Sequence, residues 1–236
     1  MMTEQEWHTS QEPEAMLKGL HGISSLAGIS PIGGKIQRKL RLFAVACVRR
    51  LWPLLQFGRS RSAVELSELF ADGIVDKGQL ERVEAAALAD ASTWKREWGD
   101  IGLARKQAMW AAWGSAGTRW AGGWSPAMRA AWLAFEHAQK AKCADGETER
   151  ATQVLLIRDI FGDPLKPTTI NAFWLTTTVN VLAELIYNDR AYDRMPVLAD
   201  ALEDAGCTNV DILNHCRQPG EHVRGCWVLD LILGKQ

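Results

Sequence analysis

Between Lys35 and Phe57, apolar residues recur at the period of an α-helix. At about 100° per residue, Ile36, Leu40, Phe43, Ala44, Cys47, Leu51, Leu54 and Leu55 share one face. Lys35, Arg38, Arg41, Arg49 and Trp52 fall on the other. Pro53 sets its ring against the carbonyl four residues back, so a kink or an ending near Leu51 is expected. No stretch shows strand alternation, apart from an ambiguous run at Trp227–Leu233. The expected class is therefore all-α, an irregular multi-helix domain of about eight to ten helices.

Turn and capping residues divide the rest of the chain. Thr3 to Glu6 fits a capping box for a short first helix, broken near Pro13. The Gly- and Ser-rich stretch 19–34 reads as a loop or linker, with Gly33 and Gly34 releasing the chain into the basic helix. Helices are expected over Ser62–Ala71, Lys77–Trp98 and Ile101–Trp113, with Gly99-Asp100 as a break. A Gly-rich loop follows over Gly114–Ser125, and Ser125-Pro126 opens a helix to about Lys142. Ala144-Asp145-Gly146 is the strongest internal punctuation, and Glu147–Phe161 resumes a helix. Asp163–Pro167 is a turn, followed by helices over Asn171–Asn188 and Arg194–Ala205, with Pro196 in a first turn. The organisation expected is 1–34 as an N-terminal segment and linker, 35–142 as a helical region with the basic helix and a Trp-rich part, and 147–236 as a C-terminal helical region. The last two are expected to pack as one domain.

Charge is segregated along the chain. Residues 1–14 hold four Glu and no Lys or Arg, whereas residues 15–64 hold nine Lys/Arg and no carboxylate. Residues 145–236 hold fourteen acids against eight bases. Such a block is either paired internally with the acidic C-terminal part, turned to an external anion, or simply solvated. If an anion is the partner, Lys35, Arg38, Arg41 and Arg49 are the phosphate contacts. The N-terminus lacks the apolar core of a signal peptide, and no run is long enough to span a membrane. Five cysteines at scattered spacings fit reduced thiols in a cytoplasm better than a disulfide framework.

Seven of the eleven Trp lie between 94 and 132. The spacing of Trp94, Trp98, Trp110 and Trp113 suits core packing on a helix face. Trp120 and Trp124 sit in the Gly-rich loop and are the candidates for partner contact.

The run from Leu198 to Gly234 concentrates Cys207, His215, Cys216, His222 and Cys226. Gly206 is placed to close the helix before it, and Thr208 to Asp211 fits a capping box opening the next. Gln218-Pro219-Gly220 is a turn, and a terminal helix follows Gly225. The five Cys and His residues suit tetrahedral zinc ligation by type. There is no C-x-x-C pair, however, and adjacent His215 and Cys216 point apart on a helix. The competing reading makes Cys216 and Cys226 small buried apolar groups. Two further readings are open: a Cys226–His222 nucleophile oriented by Asp230 or Glu221, and an anion site using Arg217, His222 and Arg224. No P-loop, G-x-G-x-x-G, H-E-x-x-H or G-x-S-x-G motif is present.

The blocks RKLRLFAVACVRRLW (Arg38–Trp52), LLIRDIFGDPLKP (Leu155–Pro167) and Leu198–Gly234 together resemble an uncharacterised bacterial protein family expanded in planctomycetes. That family shares the patterns RDIFG-x-P, LADALEDAGC and HCR-x-x-G-x-HVRGCW-x-x-DL-x-LGK. Many relatives are richer in cysteine in the first block, where this chain has Val45 and Val48 around Cys47. The resemblance implies no activity. The function expected from the sequence is a non-enzymatic helical module for protein–protein interaction, with a protein partner and no cofactor. The alternatives are a nucleic-acid-associated protein and a zinc-binding protein.

Overall fold

The computed structural model describes residues 2–26, 32–92, 99–118, 126–141 and 146–235. Among the described residues there are twelve α-helices and no strand. They form two compact units, Met1–Val154 and Leu155–Gln236. The division falls inside a helix, past the Ala144-Asp145-Gly146 punctuation where the sequence marks a boundary.

The first unit is built from α1 (Glu4–Thr9), α2 (Pro13–Leu26), α3 (Ile32–Arg49), α4 (Gly58–Ala71), α5 (Lys77–Ser92), α6 (Gly99–Ser115), α7 (Pro126–Ala141) and the start of α8 (Gly146–Phe161). The Thr3 capping box forms as the sequence implies, with Thr3 and Glu6 each satisfying the other's backbone N–H. Three punctuation readings are corrected. Residues 19–26 continue α2, so only 27–31 separate it from α3, and they lie outside the described residues. Gly33 and Gly34 are inside α3; Gly99-Asp100 opens α6, and residues 93–98, where the preceding helix is expected to end, lie outside the described residues. Gly114 belongs to α6, where a Cβ would stand 2.8 Å from the Leu133 Cβ of α7; it permits close helix approach, not a loop. Pro53 behaves as expected: α3 ends at Arg49 and Trp52–Leu54 make a short 3-10 turn.

α3 packs against α4, α6 and α7 and is buried on nearly every side. Leu42, Val45, Ala46 and Val48 are buried along with Leu40 and Phe43, off the face that periodicity assigns to the core. Arg41 accordingly corrects the basic-stripe reading. It is 3 % exposed, and its guanidinium donates to the carbonyls of Ser115 (2.8 Å) and Gly117 (2.9 Å). Burial lowers its pKa to about 10 against the opposing pull of Glu84, leaving it charged at neutral pH. Arg38 pairs with Asp72 at 2.8 Å, Arg49 with Glu68 at 2.7 Å and Arg50 with Glu149 at 3.2 Å. Asp72 and Glu68 lie outside the acidic C-terminal part, whereas Glu149, at the start of α8, lies within it. Trp110 and Trp113 meet edge to face at 5.3 Å, half-buried, in the packing role their spacing implies. Trp94, Trp98, Trp120 and Trp124 lie outside the described residues.

The second unit comprises the end of α8, α9 (Thr177–Asp189), α10 (Met195–Asp204), α11 (Val210–Arg217) and α12 (Trp227–Ile232). α10 packs on α9 and α11, and α12 packs on α9 and α11. Their core includes Val179, Ile186, Leu198, Leu202, Ile212 and Leu229. α10 ends in a Schellman motif: Gly206 at φ 84 lets Cys207 N–H reach Leu202 O and Gly206 N–H reach Glu203 O, both at 2.8 Å. The cap of α11 is one residue later than the sequence reading, because the Asn209 side chain accepts from Ile212 N–H in place of Thr208. Trp227–Ile232 is helical, which settles the one ambiguous strand.

Candidate metal centre

Four buried side chains of the second unit converge: Asp159, His215, His222 and Cys226, each with one ligand atom within 4.8 Å of the others. Asp159 comes from the last turns of α8, and His215 from the last turn of α11. His222 and Cys226 come from the connection into α12. That connection is laid onto Asp159 by its backbone: Val223 N–H donates to Asp159 Oδ2 at 3.0 Å. A turn then follows, in which Cys226 N–H donates to Val223 O at 2.9 Å and Gly225 takes φ 96. Only glycine adopts that conformation without strain, which is why a Gly stands directly before the Cys226 thiol.

Asp159 Oδ1 is 2.6 Å from His222 Nδ1 and 3.2 Å from His215 Nε2. Cys226 Sγ is 3.1 Å from His215 Nε2 and 3.9 Å from His222 Nδ1. Zinc bonds of about 2.0–2.3 Å set the edges of a ligand tetrahedron at about 3.3–3.8 Å. The four separations bracket that range. One carboxylate oxygen, two imidazole nitrogens and one sulfur, facing one another from three elements, can hold a metal ion. The Trp227 ring lies 5.1 Å from that of His215, and Gly162 (φ 60) lies against Trp227, where a Cβ would stand 3.0 Å from the indole. This close approach brings the glycine of RDIFG and the Trp of HVRGCW together.

The electrostatics divide the ligands. Burial alone would raise the Asp159 pKa, but hydrogen bonds from His215 and His222, together with their charge, hold it below the usual carboxylate value. Cys226 goes the other way. Burial, followed by the charge of Asp159, pushes its thiol well above the usual value, against backbone N–H groups of Leu229 and Val228 that favour the thiolate. A bound cation would reverse that balance and take the thiolate as ligand.

Of the five sequence candidates for metal ligation, His215, His222 and Cys226 meet and Cys207 and Cys216 do not join them. Cys216 turns from its neighbour His215 into the core, and burial drives its pKa up to about 12. Cys207 packs in the same core. Asp159 was missed by spacing. The nucleophile reading changes too: His222 is oriented by Asp159, not by Asp230 or Glu221, and Cys226 is both fully buried and held as a thiol. The cationic candidates are engaged elsewhere. Arg217 pairs with Asp200 at 2.8 Å and with Glu203, and Arg224 stacks over Tyr187 with its guanidinium carbon 4.5 Å from the ring centre. Arg38, Arg41 and Arg49 have the partners described above. The Lys35 side chain, Trp120 and Trp124 lie outside the described residues. No helix of the described residues is long and apolar enough to cross a membrane. Comparison with protein-family models, curated proteins and solved structures yields no match.

Proposed function

We propose that this is a zinc-binding helical protein in which the metal is structural, joining α8, α11 and the connection into α12. The observation that carries this reading is the convergence of Asp159, His215, His222 and Cys226, all buried, with one ligand-type atom of each within 4.8 Å of the others. Two imidazoles and a thiolate suit a borderline-soft cation, whereas calcium and magnesium require oxygen ligands. Four protein ligands complete a tetrahedral shell, which is the pattern of closed structural sites, whereas catalytic zinc keeps a position for water. The role is therefore stabilisation of a non-enzymatic scaffold.

The test is metal analysis of the full-length chain purified without a polyhistidine tag. About one zinc per chain is expected, falling to background in the Asp159→Ala/His215→Ala double variant. Cobalt substitution should give the tetrahedral d–d bands and the thiolate charge-transfer absorption, the latter lost in Cys226→Ser. Protein that takes up no stoichiometric zinc from a zinc-supplemented solution at neutral pH sinks the reading.

A further inference from the structure

The two histidines of the cluster are supported unequally. His215 has both ring nitrogens occupied: Nε2 faces Asp159 and Cys226, and Nδ1 lies 3.1 Å from the side-chain amide of Gln218. His222 turns Nδ1 to the cluster, and its Nε2 is buried with no hydrogen-bond partner among the described residues. The support of His215 is itself anchored. Gln218 caps the C-terminus of α11, its backbone N–H donating to Asn214 O at 2.8 Å, and Pro219 follows directly. The Trp227 ring packs against that of His215, with 5.1 Å between centroids.

An imidazole that binds metal through Nε2 remains neutral and carries its proton on Nδ1, and that N–H needs an acceptor. A glutamine amide can offer either its NH2 or its oxygen by rotation of the terminal group. In the geometry described, Gln218 presents nitrogen to Nδ1, which suits an imidazole whose Nε2–H donates to Asp159.

We infer that Gln218 is the positioning residue of the metal centre: when metal binds, its amide turns over, its oxygen accepts the Nδ1–H of His215, and Nε2 is thereby fixed as the ligating nitrogen. This deepens the zinc reading and rests on it. The proton balance closes within the site. The His215 proton passes by way of solvent from Nε2 to Nδ1, and that of His222 from Nδ1 to Nε2, so neither imidazole loses one. The proton released to solvent on zinc binding is that of the Cys226 thiol. Gln218 touches no metal and does no chemistry; it selects a tautomer and a ring orientation.

The test uses the full-length chain with Gln218→Leu and Gln218→Glu. Zinc affinity is read by competition with a chelator of known affinity, and the His215 tautomer by long-range 1H–15N correlation in the zinc-loaded protein. Gln218→Leu, which removes the acceptor at similar size, should weaken zinc binding by about 10- to 100-fold with stoichiometry unchanged. Gln218→Glu keeps an acceptor oxygen and should bind within about threefold of the parent. In the parent, zinc should move the His215 proton to Nδ1. Gln218 is exposed, so both variants should fold, and circular dichroism of the metal-free forms checks that they do. Equal affinity of Gln218→Leu and parent overturns the inference. Equal weakening by both variants also overturns it, since packing would then be the cause, as does zinc-loaded protein with the proton still on Nε2. A parent that binds no zinc is a separate outcome: it removes the zinc reading itself, and Gln218 with it.

Discussion

Asp159 and His222, 63 positions apart in the chain, meet at 2.6 Å with both side chains buried. The same carboxylate oxygen reaches His215, and the other oxygen holds the backbone of Val223. One side chain of α8 thus organises the whole C-terminal connection. Asp159→Asn keeps the shape and removes the charge, and its amide offers one acceptor oxygen where the two imidazoles and the Val223 N–H use two. The expected result is a loss of the zinc-induced rise in Tm and a fall in stability of about 3 kcal/mol, read by urea unfolding with and without zinc.

Removing the metal should act on one unit. Treatment with a strong chelator is expected to raise amide exchange over residues 205–235, where three ligands and α12 reside, and to leave α3 to α7 protected. Hydrogen exchange with mass spectrometry checks this. Uniform exposure of the whole chain would show that the metal is not local in its effect.

Zinc affinity should rise with pH. The Cys226 thiol is held above its ordinary pKa in the metal-free protein, so at neutral pH zinc must displace its proton. Asp159, held below its ordinary value, is already ionised there and releases none. One proton released per zinc bound gives a Kd that falls about tenfold per pH unit near neutrality. Titration against a chelator at three pH values measures the slope. Cys226→Ser should flatten it.

Gly162 takes φ 60 against the face of Trp227. Gly162→Ala combines an unfavourable left-handed backbone with a methyl pushed at the indole, and should cost about 2 kcal/mol in urea unfolding. Tryptophan fluorescence should shift as Trp227 moves.

Arg41→Ala leaves two buried carbonyls and the Glu84 carboxylate short of a positive partner, a loss of about 3 kcal/mol. Arg38→Ala and Arg49→Ala should lower stability less, and none of the three should change retention of duplex DNA at low salt, where phosphate contacts are most visible. A drop in DNA retention with stability intact would return these residues to an anion-binding role.

The helical class and much of the punctuation were legible because their causes are local. Thr3, Pro53, Pro196 and Gly206 act on backbone within a few residues of themselves, and the structure uses them as their chemistry dictates. Arg41 was misread because period alone cannot tell a solvated face from one covered by a third helix; α3 is surrounded. Gly114 was misread for a related reason, since a glycine permitting helix contact looks the same in sequence as one in a loop. Three of the four residues of the centre were visible as a Cys and His cluster, but not the selection of His215 over Cys216, which depends on how α11 is rotated. Asp159 had one local signal. It falls among Leu156, Ile157 and Ile160 on the buried side of α8, and a carboxylate on such a face requires a buried partner.

All four residues of the cluster lie within Leu155–Gln236, the stretch that forms one compact unit. At about 80 residues such a unit is near the size where an apolar core alone is marginal and a metal crosslink would contribute most. This has a bearing on descent. A genetic exchange with its breakpoint at the middle of α8 would carry the complete ligand set into a new protein in a single piece. A breakpoint anywhere between Asp159 and His215 would separate the carboxylate from the other three and transmit cysteine and histidines without their anchor.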